Sequence, residues 1–374
     1  MYKKLIVVSD TAMLKNSKEN LAFGPVVDEL EFIESLFDKI IWIGYHFPEK
    51  ENDKSMKIIK KSKIKLVMLP QIGGKSILSK LNIILRYPVL FFVILRYVFF
   101  APVIHTRGPS HPAFIAIVIS FFIRKKIWWH KFAGSWDEST LPFFYVFQKR
   151  ILQKYKHVNV TINGFWNDQP EHCFSFENPS LNEIDIRRGE EIFKNKTYTE
   201  PFVFCFVGRV DEAKGMHQVI SVLKGISTDK IEVVHIVGDG PKIGMYKEAL
   251  RFLGSKVVFH GFLEKNEVHS IYEVSHFLLL PSASEGFPKV VAEAACYGVI
   301  PIVSNVGSIS HYINDKNGFL WNIGNENYDM VFLKAISENE ILLKERATIL
   351  LPLAKKFTFT EYFKKLKNTI LKDD

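Results

Sequence analysis

Short apolar runs recur along this chain, each bounded by glycine, proline or polar residues, with longer amphipathic stretches between them. In the first half LIVVSD (5–10), IIWIG (40–44), KLVML (65–69), PVIHT (102–106), KIWWH (126–130) and HVNVTIN (157–163) read as strands. PVVDELEFIESLF (25–37) is one of the intervening helices. In the second half FVFCFVG (202–208), EVVHIVG (232–238), KVVFHG (256–261), HFLLLP (276–281) and IPIVS (300–304) read the same way. Strand alternating with helix predicts doubly wound α/β domains. The polar stretch 181–200 separates the halves and reads as a linker, which gives a first domain over 1–180 and a second over 201–353. The tail, 354–374, reads as a terminal amphipathic helix.

Composition agrees. A chain of 374 residues exceeds what one core usually organises. Its 47% hydrophobic and 24% charged content is that of a globular protein. Cys173, Cys205 and Cys296 stand far apart, so buried thiols in a reducing compartment are expected rather than disulfides. The opening MYKKLIVVSD runs straight into a strand pattern without the apolar length of a signal peptide, and a cytoplasmic location is expected.

The most informative stretch is SASEGFPKVVAEAACYGVIPIVS (282–304). VSHFLLL (274–280) before it reads as a buried strand, Pro288 as a first-turn helical proline, and VVAEAACYG as the helix that follows. Gly286 would let the backbone approach a ligand closely, and the N–H groups at the helix start suit anionic or hydroxyl-rich groups. Glu285 and Glu293 are carboxylates able to accept hydrogen bonds from sugar hydroxyls. An ordinary glutamate-capped strand–loop–helix unit has the same pattern. Upstream, however, lie FVGRVDEAKG (206–215), HIVGDGPK (235–242) and VVFHGFLEKNEV (257–268).

These four segments, in this order and spacing, resemble the nucleotide-sugar-binding half of the retaining GT-B glycosyltransferases, specifically glycosyltransferase family 4, the glycosyl transferases group 1. The resemblance is strong over about 201–325 and weak before residue 180. It implies two Rossmann-like domains facing a cleft, with the last helix crossing back to the first domain. It also implies a nucleoside-diphosphate sugar as donor and a saccharide as acceptor. Arg209 and Lys214 would hold the donor diphosphate; Glu285 would contact the donor sugar and Glu293 the ribose hydroxyls. Gly286, Phe287, Pro288 and Lys289 would line the sugar and phosphates, while Gly238, Gly240, Pro241, Gly261, Phe262 and Leu263 would border the base; Gly24 and Gly208 would also bind the donor. A nucleotide-sugar 2-epimerase and a non-catalytic partner subunit share the fold, but retention of both cations and both glutamates favours transfer.

Arginine can chelate two phosphate oxygens and lysine supplies a mobile charge, so no metal or other cofactor is required. The sequence has no Asp-x-Asp and no His/Cys cluster with zinc spacing. On the acceptor side His105, Arg107, His111, His130 and Lys131 lie at or after strand ends, where open α/β sheets place ligands. Family members often carry a histidine where His130 stands, facing the reacting centre. The double-glycine loop typical of the family's N-terminal domain is reduced here to Gly24 of LAFGPVV.

Charge is unevenly placed. The net +9 comes from the first half, and residues 51–150 hold 17 Lys+Arg against 4 Asp+Glu. That region contains DKSMKIIKKSKIK (53–65) and the apolar, aromatic run 82–104. Basic clusters beside aromatics suit an anionic bilayer surface; a solvated lysine-rich loop has the same composition. Arg86 and Arg96 interrupt the run, so a helix over about 88–100 is expected rather than a transmembrane span. The expected setting is peripheral, on the inner face of the cell membrane, with a lipid-linked acceptor of bacterial surface polysaccharide synthesis and no nucleic-acid partner.

Overall fold

The computed structural model describes every residue except 1, 16–18, 51–52, 73–76, 137–141, 326 and 373–374, and gives the backbone alone for 77–82 and 84. The chain divides into two compact units, Met1–Phe176 with Phe363–Asp374, and Glu177–Tyr362. Each has its own apolar core.

The first unit contains β1 (Leu5–Lys15), β2 (Asn20–Phe23), α1 (Gly24–Ile33), β3 (Ile40–His46), β4 (Met56–Ile58), β5 (Ile64–Leu69), α2 (Ile77–Phe99), β6 (Val103–Gly108), α3 (His111–Phe122), β7 (Ile127–Phe132), α4 (Phe143–Lys154), β8 (Asn159–Ile162) and β9 (Cys173–Ser175). β1 pairs in parallel with both β3 and β6; β5 continues outward from β3, and β7, β8 and β9 from β6. The far end of β1 also takes β2, and through it β4, as antiparallel additions.

The second unit contains α5 (Glu183–Asn195), β10 (Phe202–Val207), α6 (Met216–Lys224), β11 (Ile231–Val237), α7 (Ile243–Ala249), β12 (Val257–Gly261), α8 (Lys265–Val274), β13 (Phe277–Leu280), α9 (Lys289–Cys296), β14 (Ile300–Ser304), β15 (Phe319–Trp321), α10 (Tyr328–Ile336) and α11 (Glu340–Lys355). Its sheet is wholly parallel, in the order β12-β11-β10-β13-β14-β15. The strands are continuous apolar runs because both faces are covered; all six residues of β10 are buried. Both units are Rossmann-like.

Several expectations are corrected. The stretch 181–200 is not a linker: Asn182 and Asp185 form a capping box that starts α5 inside the second unit. α2 begins at Ile77, not near 88, and runs through Pro88. The tail is not one helix. α11 ends at Lys355, and α12 (Phe359–Thr369) follows after a break at 356–358. At that break Phe357 accepts from the Ser180 N–H (2.9 Å) and the Phe359 N–H donates to Leu181 (2.9 Å). Cys173, Cys205 and Cys296 are free and buried.

Candidate functional site

In the second sheet, β11 and β12 extend from one side of β10 while β13, β14 and β15 extend from the other. The strand order therefore reverses between β10 and β13, and the carboxyl ends of strands flanking such a point form the crevice where open α/β sheets bind ligands. The loops after β10, β11, β12, β13 and β14 carry the motif residues, so the sequence delivers them to this edge.

Backbone hydrogen bonds fasten those loops to one another. Gly208 donates to Val237 (3.0 Å), Gly238 to Gly261 (2.7 Å) and Val210 to Asp239 (2.9 Å). At Gly238, φ is +122° and an added Cβ would lie 1.8 Å from the Gly208 carbonyl oxygen, so only glycine fits this contact. The Asp211 carboxylate caps a 3-10 turn over Glu212–Lys214 by accepting from the Lys214 N–H (3.0 Å). α6 then starts at Met216. The Ala283 N–H donates to Ala213 (2.9 Å), joining the β10 loop to the β13 loop across the reversal point.

Across that joint, the Lys214 ammonium forms an ion pair with Glu285. Arg209, largely exposed, pairs with Asp211. Glu285 and Gly286 are fixed from the β14 loop as well. Both the N–H (2.8 Å) and the Oγ (3.0 Å) of Ser308 donate to the Gly286 carbonyl. A Cβ on Gly307 would stand 2.0 Å from the Glu285 oxygen. Gly307 and Ser308 went unnoticed in the sequence, where NVGS (305–308) follows a strand without a recognised motif.

Pro288 is the N-cap residue of α9, in extended conformation, rather than a residue of its first turn. Gly286, Pro288 and Lys289 are partly open, whereas the Phe287 side chain is in the core, stacked on Phe357 at 4.7 Å. Only the Phe287 backbone is therefore free to face a ligand. Glu293 lies on α9. Burial pushes its carboxyl above the ordinary range, and Lys265 and Lys289 pull it back. Gly240, Gly261 and Leu263 are partly exposed and Pro241 and Phe262 exposed, all at the ends of β11 and β12.

The first unit's candidates are placed differently. Arg107 donates to Glu29 Oε1 at 2.7 Å, and Lys131 donates to Glu29 Oε2 at 2.9 Å. Glu29 is buried on α1, and despite that burial the two cations hold its carboxyl well below the usual range. This carboxylate was not predicted, because its partners lie 78 and 102 positions away. His130 is buried, with Nδ1 2.7 Å from Thr106 Oγ1 and Nε2 without a hydrogen-bond partner. Burial pushes its pKa down to about 3, so it is a neutral imidazole. His105 stacks on Trp129 at 3.6 Å, and His111 meets the Tyr87 hydroxyl at 2.7 Å; both belong to the packing. Gly24 opens α1, and its N–H donates to Ser55 (2.9 Å), so that donor is already engaged. Among the described residues no group of three or more His, Cys, Asp or Glu side chains could hold a metal ion.

The edge thus presents two cations, a carboxylate tied to one of them, a second carboxylate on the adjoining helix, and glycine-built turns that bring backbone close. This combination suits a phosphate-bearing, hydroxyl-rich ligand. Residues 187–340 match the family described as Glycosyl transferases group 1. A protein of the Klebsiella pneumoniae cps region is 29% identical over 143 residues, which is 38% of this chain and 38% of that one. A sulfoquinovosyl transferase of Arabidopsis thaliana is 33% identical over 124 residues, 32% of this chain and 23% of that one. The chain spans less than half the length of these curated relatives. Among solved structures, Anabaena HepE in complex with UDP and glucose superposes with a TM-score of 0.68 at 15% identity, covering 100% of both chains. WaaG, a glycosyltransferase involved in lipopolysaccharide biosynthesis, gives 0.65 at 14% identity over 99% of this chain and 100% of that one. The fold is GT-B, and within it residues 187–340 match the glycosyl transferases group 1 family.

Proposed function

We propose that this protein is a retaining, metal-independent glycosyltransferase that moves a sugar from a nucleoside-diphosphate sugar to a saccharide. The observation that carries this reading is the Lys214–Glu285 pair at the strand-order reversal, held between loops that also carry Arg209 and Gly286. As the bond from the anomeric carbon to the diphosphate breaks, negative charge grows on the leaving oxygens. Arg209 and Lys214 stabilise it, which is the largest single contribution such a site can make. Glu285, tied to Lys214, accepts from a donor-sugar hydroxyl, and Glu293 accepts from the ribose. The acceptor hydroxyl enters on the face the phosphate leaves, and a leaving phosphate oxygen takes its proton, so no separate base is needed.

In this reading the second unit handles the donor and the first the acceptor, with His130, Arg107 and Lys131 on the acceptor side. His130, neutral and with Nε2 unengaged, can serve as a hydrogen-bonding group but not as a cation. The acceptor is a saccharide carried on lipid at the cytoplasmic face of a membrane, and the product belongs to a bacterial surface polysaccharide. Two relatives support that setting: the protein of a cps region and the structure described as involved in lipopolysaccharide biosynthesis.

The test is a donor screen against lipid-linked saccharides, with the product anomer read by NMR. Retention, in the presence of EDTA, is expected. Conversion of the donor without any acceptor would instead identify a 2-epimerase.

A further inference from the structure

Between Tyr87 and Phe99 α2 carries apolar or aromatic residues on every side, with Arg96 its one charge, a pattern expected of a helix buried on every side or one in contact with lipid. Among the described residues only one side is covered by protein. Leu90, Ile94 and Val98 are fully buried. On the opposite side Leu85, Val89, Phe92 and Phe99 are 75%, 53%, 66% and 65% exposed. Their spacing of four, three and seven residues, with exposed Arg96 between the last two, puts all of them on one stripe. At the end of the stripe Phe100 is 68% exposed. The Lys126 ammonium donates to the carbonyls of Phe99 (2.9 Å) and Ala101 (2.6 Å), so the start of β7 lies against this tip. Val103 and Ile127 are direct partners where β6 and β7 begin. Phe122, 82% exposed at the end of α3, and exposed Arg124 and Lys125 therefore join the same end of the unit.

The charge around this face has one sign. The sequence holds no Asp or Glu between Asp53 and Asp137. A second copy docked stripe to stripe would set Arg96, Arg124 and Lys125 against their own kind, whereas an anionic lipid surface complements them. Spanning is a different matter, since no helix among the described residues is long and apolar enough to cross a membrane. We propose that the outer stripe of α2, with Phe100 and Phe122 at its tip, lies in the headgroup–acyl boundary of an anionic bilayer. This deepens the membrane setting proposed above and rests on it. It also moves the contact away from the lysines of 53–65. There Lys57 pairs with Asp28 and Lys63 donates to the Phe37 carbonyl (3.1 Å).

The experiment is co-sedimentation of the full chain with phosphatidylcholine vesicles, with and without phosphatidylglycerol, across a salt series. Wild type should bind the anionic vesicles and keep part of that binding at high salt, because apolar contact is not screened. Phe92→Asp with Phe99→Asp should weaken binding at least tenfold at unchanged thermal stability, while Lys60→Glu with Lys61→Glu should change it little. As a second readout, an environment-sensitive dye on Phe100→Cys should shift blue with anionic vesicles. An unshifted dye, or a Phe92/Phe99 variant that binds like wild type, would overturn the assignment of this face. So would a wild-type dimer that the same substitutions dissociate. Absence of vesicle binding alongside transfer to a soluble saccharide would overturn the membrane face and leave glycosyl transfer standing. Stripe-dependent binding without transfer from any donor would support the face and reject the enzymatic reading.

Discussion

Lys214 and Glu285, 71 positions apart, form an ion pair across the point where the second sheet reverses its strand order. Each comes from a loop after a neighbouring strand, and the Ala283–Ala213 hydrogen bond fixes the loops together. The pair holds the ammonium at the sheet edge through one carboxylate oxygen, and in the proposed site the other oxygen would accept from a donor hydroxyl. In the proposed site Lys214→Ala would remove a phosphate ligand, and it leaves Glu285 uncompensated. Losing one charge-assisted hydrogen bond costs about 1.5–3 kcal/mol. At ~1.4 kcal/mol per factor of ten, kcat/KM should fall tenfold or more. Glu285→Ala should be at least as damaging.

Arg209 and Glu293 should separate in kinetics. Arg209 is exposed and, in the proposed reaction, would meet charge that grows during bond breaking, so Arg209→Ala should lower kcat as well as kcat/KM. Glu293, half-buried on α9, would grip the ribose equally in ground and transition states. Glu293→Ala should raise KM for the donor and leave kcat nearly unchanged. Steady-state kinetics with varied donor checks both.

Gly238→Ala tests whether the loop edge is as tightly built as its contacts indicate. With a Cβ 1.8 Å from the Gly208 oxygen, the turn must open. The cost expected is about 1–3 kcal/mol, with weaker donor binding because Gly208 and Arg209 shift. Gly244, in α7, has no atom within 4 Å of an added Cβ. Gly244→Ala should be neutral or stabilise by about 0.4–1 kcal/mol. Denaturant titration of the two variants measures the contrast.

Acid should weaken the second unit through His276. Its Nδ1 accepts from the Val203 N–H (2.9 Å), a bond that only the neutral ring can make. Burial, with the Lys196 charge nearby, pushes its pKa down to about 4. The unfolded chain, with an ordinary pKa near ~6.5, then binds more protons than the folded one between about 4 and 6.5. Stability contributed by this residue is thus present above about pH 6.5 and lost as pH falls toward 4. The slope is at most about 1.4 kcal/mol per pH unit. His276→Asn, whose amide oxygen can accept the same N–H, should flatten that part of a stability-against-pH curve.

The second unit was largely legible because its signals are local. Buried parallel strands are unbroken apolar runs, and the loops after them are marked by glycine and charge at short range. What stayed hidden depends on distance or on balance. Glu29 gathers Arg107 and Lys131 from far along the chain, and Gly307 shows its purpose only once it presses on Glu285. The start of α2 is hidden because a proline ordinarily marks a helix boundary, yet Pro88 is exposed and the helix continues through it. The polarity of 181–200 suggests a linker and masks α5, although NEID (182–185) spells its capping box.

The most direct measurement is a transfer assay with a panel of nucleoside-diphosphate sugars and lipid-linked saccharides, run with EDTA, with the anomeric configuration of the product read by NMR. The account predicts a glycoside of the donor's own configuration, formed without added metal and reduced at least tenfold in Lys214→Ala and Glu285→Ala. A product of inverted configuration, activity restored only by manganese, or variants that keep the wild-type rate would contradict it.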